Sequence, residues 1–278
     1  SNNERISLGN HCKMMFEVDD LSQASPATVS RCGMIYFDPS VLPWTAVCDS
    51  WKDSHIQENP KLTDHLRNLM DLYIPSMIQF IECEGKVAIG SNPLFIVKNL
   101  IKLIDAFFNA MRKPVLKPAS DGEDAKSIDP LNHNLYFSLF SSSRNSHFGY
   151  FDENEESCLL LFERIFIFCL IWSFGAVLID ESRPLFDKFL KDLIVKNESK
   201  INFPEKSKVY DFFVDLNKND WNEWCDGFTG IDITSNKPIE QVLIPTNESS
   251  SAMFLARLMV HNSEHFLIHG PESCKTLV

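Results

Sequence analysis

From Cys158 to Ile179 the chain runs for 22 residues with only two charged side chains, the adjacent Glu163 and Arg164. A segment apolar on every side has to be enclosed, by lipid or by other parts of the protein. The paired charges decide between these, because a charge near the middle of a membrane span costs about 2.5 to 3.5 kcal/mol on insertion scales. The run therefore predicts a buried helix of a soluble bundle, from about Glu155 to Val177.

The flanking sequence supplies helices to enclose it. Leu62 to Glu82 places Leu66, Leu69, Met70, Tyr73, Met77, Ile78 and Ile81 near one helical face, with Pro75 expected to kink or break the helix. Asn92-Pro93 is a start signal, followed at helical spacing by Phe95, Ile96, Leu100, Leu103, Ile104, Phe107 and Met111, and Lys113-Pro114 is a stop. Pro184 opens a helix carrying Leu185, Phe186, Phe189, Leu190 and Leu193, and Met253 to Val260 forms another.

Between these helices, Lys117–Asp129 and Ser141–Glu156 read as polar surface loops around a short apolar element at Leu135–Phe140. Lys206–Leu216 reads as partly extended, and Trp221 and Trp224 sit in a turn-rich stretch. Near the amino end, Met14–Val18 and Met34–Phe37 are expected as short buried strands either side of a helical turn begun by Ser25-Pro26. His265 to His269 is expected as a strand running into Gly270. The fold class is α/β, mainly α.

The net charge of −12 removes a general phosphate-binding surface, because such surfaces need clustered Lys and Arg. Neither nucleic acid nor a membrane is expected as a partner. The eight cysteines are scattered without a C-x-x-C pair, and Ser1–Asn10 has no apolar signal core. Reduced thiols in an intracellular compartment are the default, and the sequons at Asn197 and Asn247 read as chance matches. Ser1 and Val278 both read as cuts within a longer protein.

Three places could carry chemistry. Arg31 stands directly before the apolar run Met34–Phe37. Taken alone, an arginine there reads as a surface residue or one packing a helix carboxyl end, though its guanidinium is always charged and its planar fork can contact two phosphate oxygens at once. Gly270-Pro271-Glu272-Ser273-Cys274-Lys275-Thr276 follows the strand expected at His265–His269, as a phosphate-binding loop would. The strict pattern fails there: Lys275 is one position too close to Gly270, Cys274 replaces the glycine before the lysine, and Glu272 adds negative charge. His261, His265 and His269 imitate a metal-binding helix face, but the change from helix to strand separates them, so no metal site is expected.

The run Ala24-Ser25-Pro26-Ala27-Thr28-Val29-Ser30-Arg31-Cys32-Gly33-Met34-Ile35-Tyr36-Phe37 resembles a signature of dynein heavy chains, motor ATPases whose ring is built from AAA+ modules. Phe16–Leu21 and Glu4-Arg5-Ile6 resemble its lead-in. Ile165–Gly175 is similar to the lid helix of the second module, and Arg183–Leu190 to the segment after it. Val209–Asp215 and Trp221–Trp224 are similar to the passage toward the third module, and Ile244-Pro245-Thr246 to its entry. The resemblance runs in order along nearly the whole chain, more weakly between residues 55 and 160, and is nearer to axonemal than to cytoplasmic forms.

The resemblance implies a partial AAA+ (P-loop NTPase) large subdomain with an arginine finger at residues 1–40 and a helical lid at 41–205. A connecting segment follows at 206–250, then the start of the next module, with a degenerate phosphate loop, at 251–278. Arg31 would act in trans on ATP held by the preceding module, in a motor that couples hydrolysis to movement along microtubules. Gly270, Lys275 and Thr276 would be remnants of a phosphate loop. Arg183 is a candidate lid residue sensing nucleotide, although a structural charge at a helix start is the favoured reading.

ATP and Mg belong to the whole motor, with none expected on these residues alone. Partners would be the remaining AAA+ modules of the same heavy chain, with microtubules and the intermediate and light chains reached through the full-length protein. The location implied is cytoplasm and cytoskeleton, in the axoneme of a cilium or flagellum. The alternative is a truncated, non-catalytic helical interaction protein.

Overall fold

A computed structural model describes residues 9, 11–18, 20–37, 42–57, 59–88, 92–112, 155–204, 207–216, 218–224 and 246–267. They fall into two units, Ser1–Leu42 and Pro43–Val278.

In the first unit the Ser25-Pro26 signal acts as expected. Helix α1 is the single turn Pro26–Val29, with Pro at its start and the Ser25 hydroxyl accepting the Thr28 N–H. The strands expected at Met14–Val18 and Met34–Phe37 are not formed: both runs are irregular and exposed, Met15 to 96% and Ile35 to 80%. A short apolar run becomes a strand only against a ladder partner, and no strand is present among the described residues of this unit.

The second unit is mainly helical. Its helices are α2 Trp44–His55, α3 Pro60–Cys83, α4 Pro93–Arg112, α5 Glu155–Leu170, α6 Arg183–Lys196 and α7 Asn247–His261. Asn59 caps α3 by accepting the Leu62 N–H at 3.1 Å, and Asn92 similarly accepts from Leu94 at 2.9 Å. Leu62, Leu66, Met70, Tyr73, Met77 and Phe80 are all buried along the face of α3 that the periodicity marks. Pro75 does not break this helix, contrary to one of the two expectations for it. Pro75 and Asp71 both lie on the exposed side, so the carbonyl of Asp71, deprived of its usual donor, can turn to water.

Helix α5 is the buried helix that its composition requires, and a π-helical turn, Ile171–Gly175, extends it. Residues Glu156–Gly175 are long and apolar enough to pass as a membrane span, yet 72% of the apolar window is buried within the protein. The two charges inside its apolar run, Glu163 and Arg164, are partnered. The Ser199 hydroxyl donates to Glu163 at 2.6 Å, and Arg164 donates to Asn219 at 3.2 Å while lying 3.6 Å from Asp220.

Around α5, the Trp51 indole of α2 donates to Asp105 of α4 at 2.6 Å, and Arg67 of α3 donates to Asp49 of α2 at 2.9 Å. An isolated bridge pairs Val87, just past α3, with Leu178, just past the π turn. Cys48, Cys158 and Cys169 are free and buried, and burial pushes the Cys48 and Cys158 thiols up to about 11.

Two short strands, β1 Phe212–Asp215 and β2 Asp220–Glu223, form an antiparallel hairpin with Phe212 opposite Glu223 and Asp215 opposite Asp220. Trp221 therefore lies in a strand rather than a turn. Asn219 makes the reversal with φ of 53°, a conformation Asn tolerates better than most residues. The like charges of Asp215 and Asp220 would repel across the pair. Lys218, 3.8 Å from Asp215, and Arg164, 3.6 Å from Asp220, offset them.

The helices and hairpin meet in an aromatic cluster. Phe168 of α5 packs edge-on against Phe107 of α4 at 5.5 Å and Phe254 of α7 at 6.0 Å, and lies 6.3 Å from Trp224. Trp224 in turn lies 5.0 Å from Phe213 of β1.

Candidate functional site

Arg31 follows the capped turn α1 by two residues. Its Nη1 donates to the Ala27 carbonyl at 2.9 Å, and the residue is exposed. That contact aligns the side chain with its own turn, while a guanidinium carries further donors in the same plane.

Arg183 belongs to the second unit, at the start of α6. Its guanidinium lies 5.4 Å over the Tyr210 ring and 3.3 Å from Asp180, with the side chain 36% exposed. The ion pair contributes little, because Asp180 is almost fully solvated. Stacking on Tyr210 is the stronger tie, at about 0.5–1 kcal/mol for a partly exposed cation–π contact.

Neither Tyr210 nor its partner Gly175 was marked by the sequence as a functional position. The Tyr210 hydroxyl donates to the Gly175 carbonyl at 3.1 Å. Burial pushes this phenol well above its ordinary value, nearby Arg183 opposes that shift and Asp187 adds to it. A Cβ placed on Gly175 would come 2.6 Å from the Tyr210 hydroxyl and 2.8 Å from Cε1 of Phe186. Gly175→Ala is therefore expected to destabilise the unit by about 1–3 kcal/mol through overpacking, read as a lower denaturation midpoint. A wild-type midpoint would mean that the π turn yields freely.

Gly270, Lys275 and Thr276 lie outside the described residues, as does His269. His261 ends α7 and His265 is in irregular chain rather than a strand. Among the described residues, no group of three or more His, Cys, Asp or Glu is placed to hold a metal. A groove of about 310 Å³ between α3 and α6 is floored by Phe80 and Phe189, stacked at 4.6 Å, and includes neither Arg31 nor Arg183.

The second unit is mostly helical, with helices around one apolar helix and a small two-stranded hairpin, which fits a helical lid. The family described as the dynein heavy chain AAA lid domain matches residues 132–226. The Dynein-1-beta heavy chain of the flagellar inner arm I1 complex from Chlamydomonas reinhardtii is 27% identical over 271 residues, 96% of this chain and 6% of that protein. Dynein axonemal heavy chain 1 from Mus musculus is 28% identical over 287 residues, covering 98% of this chain and 6% of the relative. Its Rattus norvegicus counterpart is 34% identical over 216 residues, 77% of this chain and 4% of the relative. The chain belongs to the dynein heavy-chain family, and it spans about 6% of the length of the first two of these relatives.

Proposed function

We propose that this chain is part of a dynein motor ring and that Arg31 reaches in trans to ATP held by the preceding AAA+ module. The observation that carries the proposal is the placement of Arg31: an exposed guanidinium at the end of a capped turn, within a run that resembles the family signature. Residues 1–40 would be the carboxyl end of an AAA+ large subdomain, 41–205 the lid, 206–250 a connection, and 251–278 the start of the next module. In the whole motor the activity would be ATP-driven movement along microtubules, in a cilium or flagellum axoneme, as the names of the axonemal and flagellar relatives suggest. The test is ATP turnover by the intact heavy chain carrying Arg31→Ala, with ring assembly as the control.

The residues present do not make a complete phosphate loop. Gly270, Lys275 and Thr276 stand with a missing glycine and a shortened spacing, so this chain is assigned no bound nucleotide of its own. For Arg183 the contacts with Tyr210 and Asp180 favour a structural role at the start of α6. Arg183→Ala is expected to lower stability by about 0.5–1 kcal/mol and to leave nucleotide affinity in the intact motor unchanged. A weakened nucleotide affinity without loss of stability would instead make Arg183 a sensor.

A further inference from the structure

The 3-10 turn Val209–Asp211 is tied by hydrogen bonds to four separate elements. The Val209 N–H donates to Asp187 of α6 at 2.7 Å. The Tyr210 hydroxyl donates to the Gly175 carbonyl of the π turn at 3.1 Å, and the Tyr210 carbonyl accepts from the Trp224 indole, beside the hairpin, at 3.0 Å. Asp211 accepts from the Asn247 amide, in the first turn of α7, at 3.1 Å.

The turn is closed on itself as well. The Asp211 N–H donates to the Lys208 carbonyl at 3.0 Å, and the Asp211 carboxylate accepts the Lys208 N–H, also at 3.0 Å. At a rise of about 2 Å per residue, four attachments lie within a few ångströms on one small rigid body. A shift of α6 or the π turn relative to α7 must then break a tie or carry the turn along.

We infer that the turn Val209–Asp211 is a mechanical joint, which couples the position of α7 to that of the π turn and α6. The inference does not depend on the role of Arg31. Coupling of this kind is reciprocal, so loosening either side must be felt on the other.

Hydrogen exchange in the intact chain tests it. Tyr210→Phe keeps the ring and removes the hydroxyl that holds Gly175. It should speed exchange at α7 amides beyond Ser249 by about 3- to 10-fold, the loss expected for one hydrogen bond. Asn247→Ala should speed exchange by a similar factor at the π turn and Leu178. The amides of α3 serve as the control and should keep their wild-type rates. Changes confined to the mutated side, or a uniform rise that includes α3, would overturn the joint. If Tyr210→Phe does not fold, Asn247→Ala read at the π turn decides alone.

Discussion

Arg31→Ala in the intact heavy chain is expected to slow hydrolysis at the preceding module's site by about 10³- to 10⁵-fold, the range for arginine fingers in nucleotide hydrolases. The loss should fall on turnover, because a finger would act on charge that redistributes as the terminal phosphate departs. Assembly should be spared, since the side-chain contact that Arg31→Ala removes, with the Ala27 carbonyl, is exposed, and the backbone bond from the Arg31 N–H to the Thr28 carbonyl is kept. Arg31→Lys should recover little, as an ammonium keeps the charge and loses the fork. The measurement is microtubule-stimulated ATP turnover, with sedimentation or particle imaging to confirm an intact ring. Unchanged hydrolysis in Arg31→Ala would end the finger assignment.

Phe168→Ala carries the largest expected effect on stability. Phe168 is fully buried and touches aromatic rings from α4, from α7 and beside the hairpin. Truncating a phenylalanine in such a site costs about 3–5 kcal/mol, from lost transfer energy and from the cavity left behind. Phe168→Leu should cost markedly less, because it fills most of the volume. Chemical denaturation of the two variants checks this. A cost below about 1 kcal/mol for the alanine variant would mean that the cluster closes over the gap and is not the centre of the core.

The helices were legible because their signals are local. Asn92-Pro93 and Ser25-Pro26 carry their cap and first-turn residues side by side, and the buried face of α3 repeats at a helical period, whereas the Asn59-Pro60 start of α3 and the helix α2 went unread. The hairpin was not legible. β1 is buried along its whole length and β2 carries Asp220, Asn222 and Glu223, so neither shows the alternation that marks a strand in sequence. Its stability comes from pairing and from Trp221 stacked on Phe203 at 4.4 Å.

Arg31 was legible only through its neighbours, since a lone arginine before an apolar run has many uses. Tyr210 and Gly175 were illegible for a different reason: their contact spans 35 residues of sequence, and neither carries a local signal. The apolar run predicts a helix that continues through Gly175 to Val177, so nothing in it sets this glycine apart.

The partners of the α5 charges have a consequence for synthesis. Glu163 meets Ser199 36 residues later, and Arg164 meets Asn219 55 residues later. At about 5 to 20 residues per second, the ribosome needs several seconds after making α5 before either charge can meet its hydrogen-bond partner. During that interval the cell holds a helix apolar enough for a bilayer, marked by two bare charges that argue against insertion. The same charges that later knit the lid together thus first tell the nascent segment that it does not belong in a membrane.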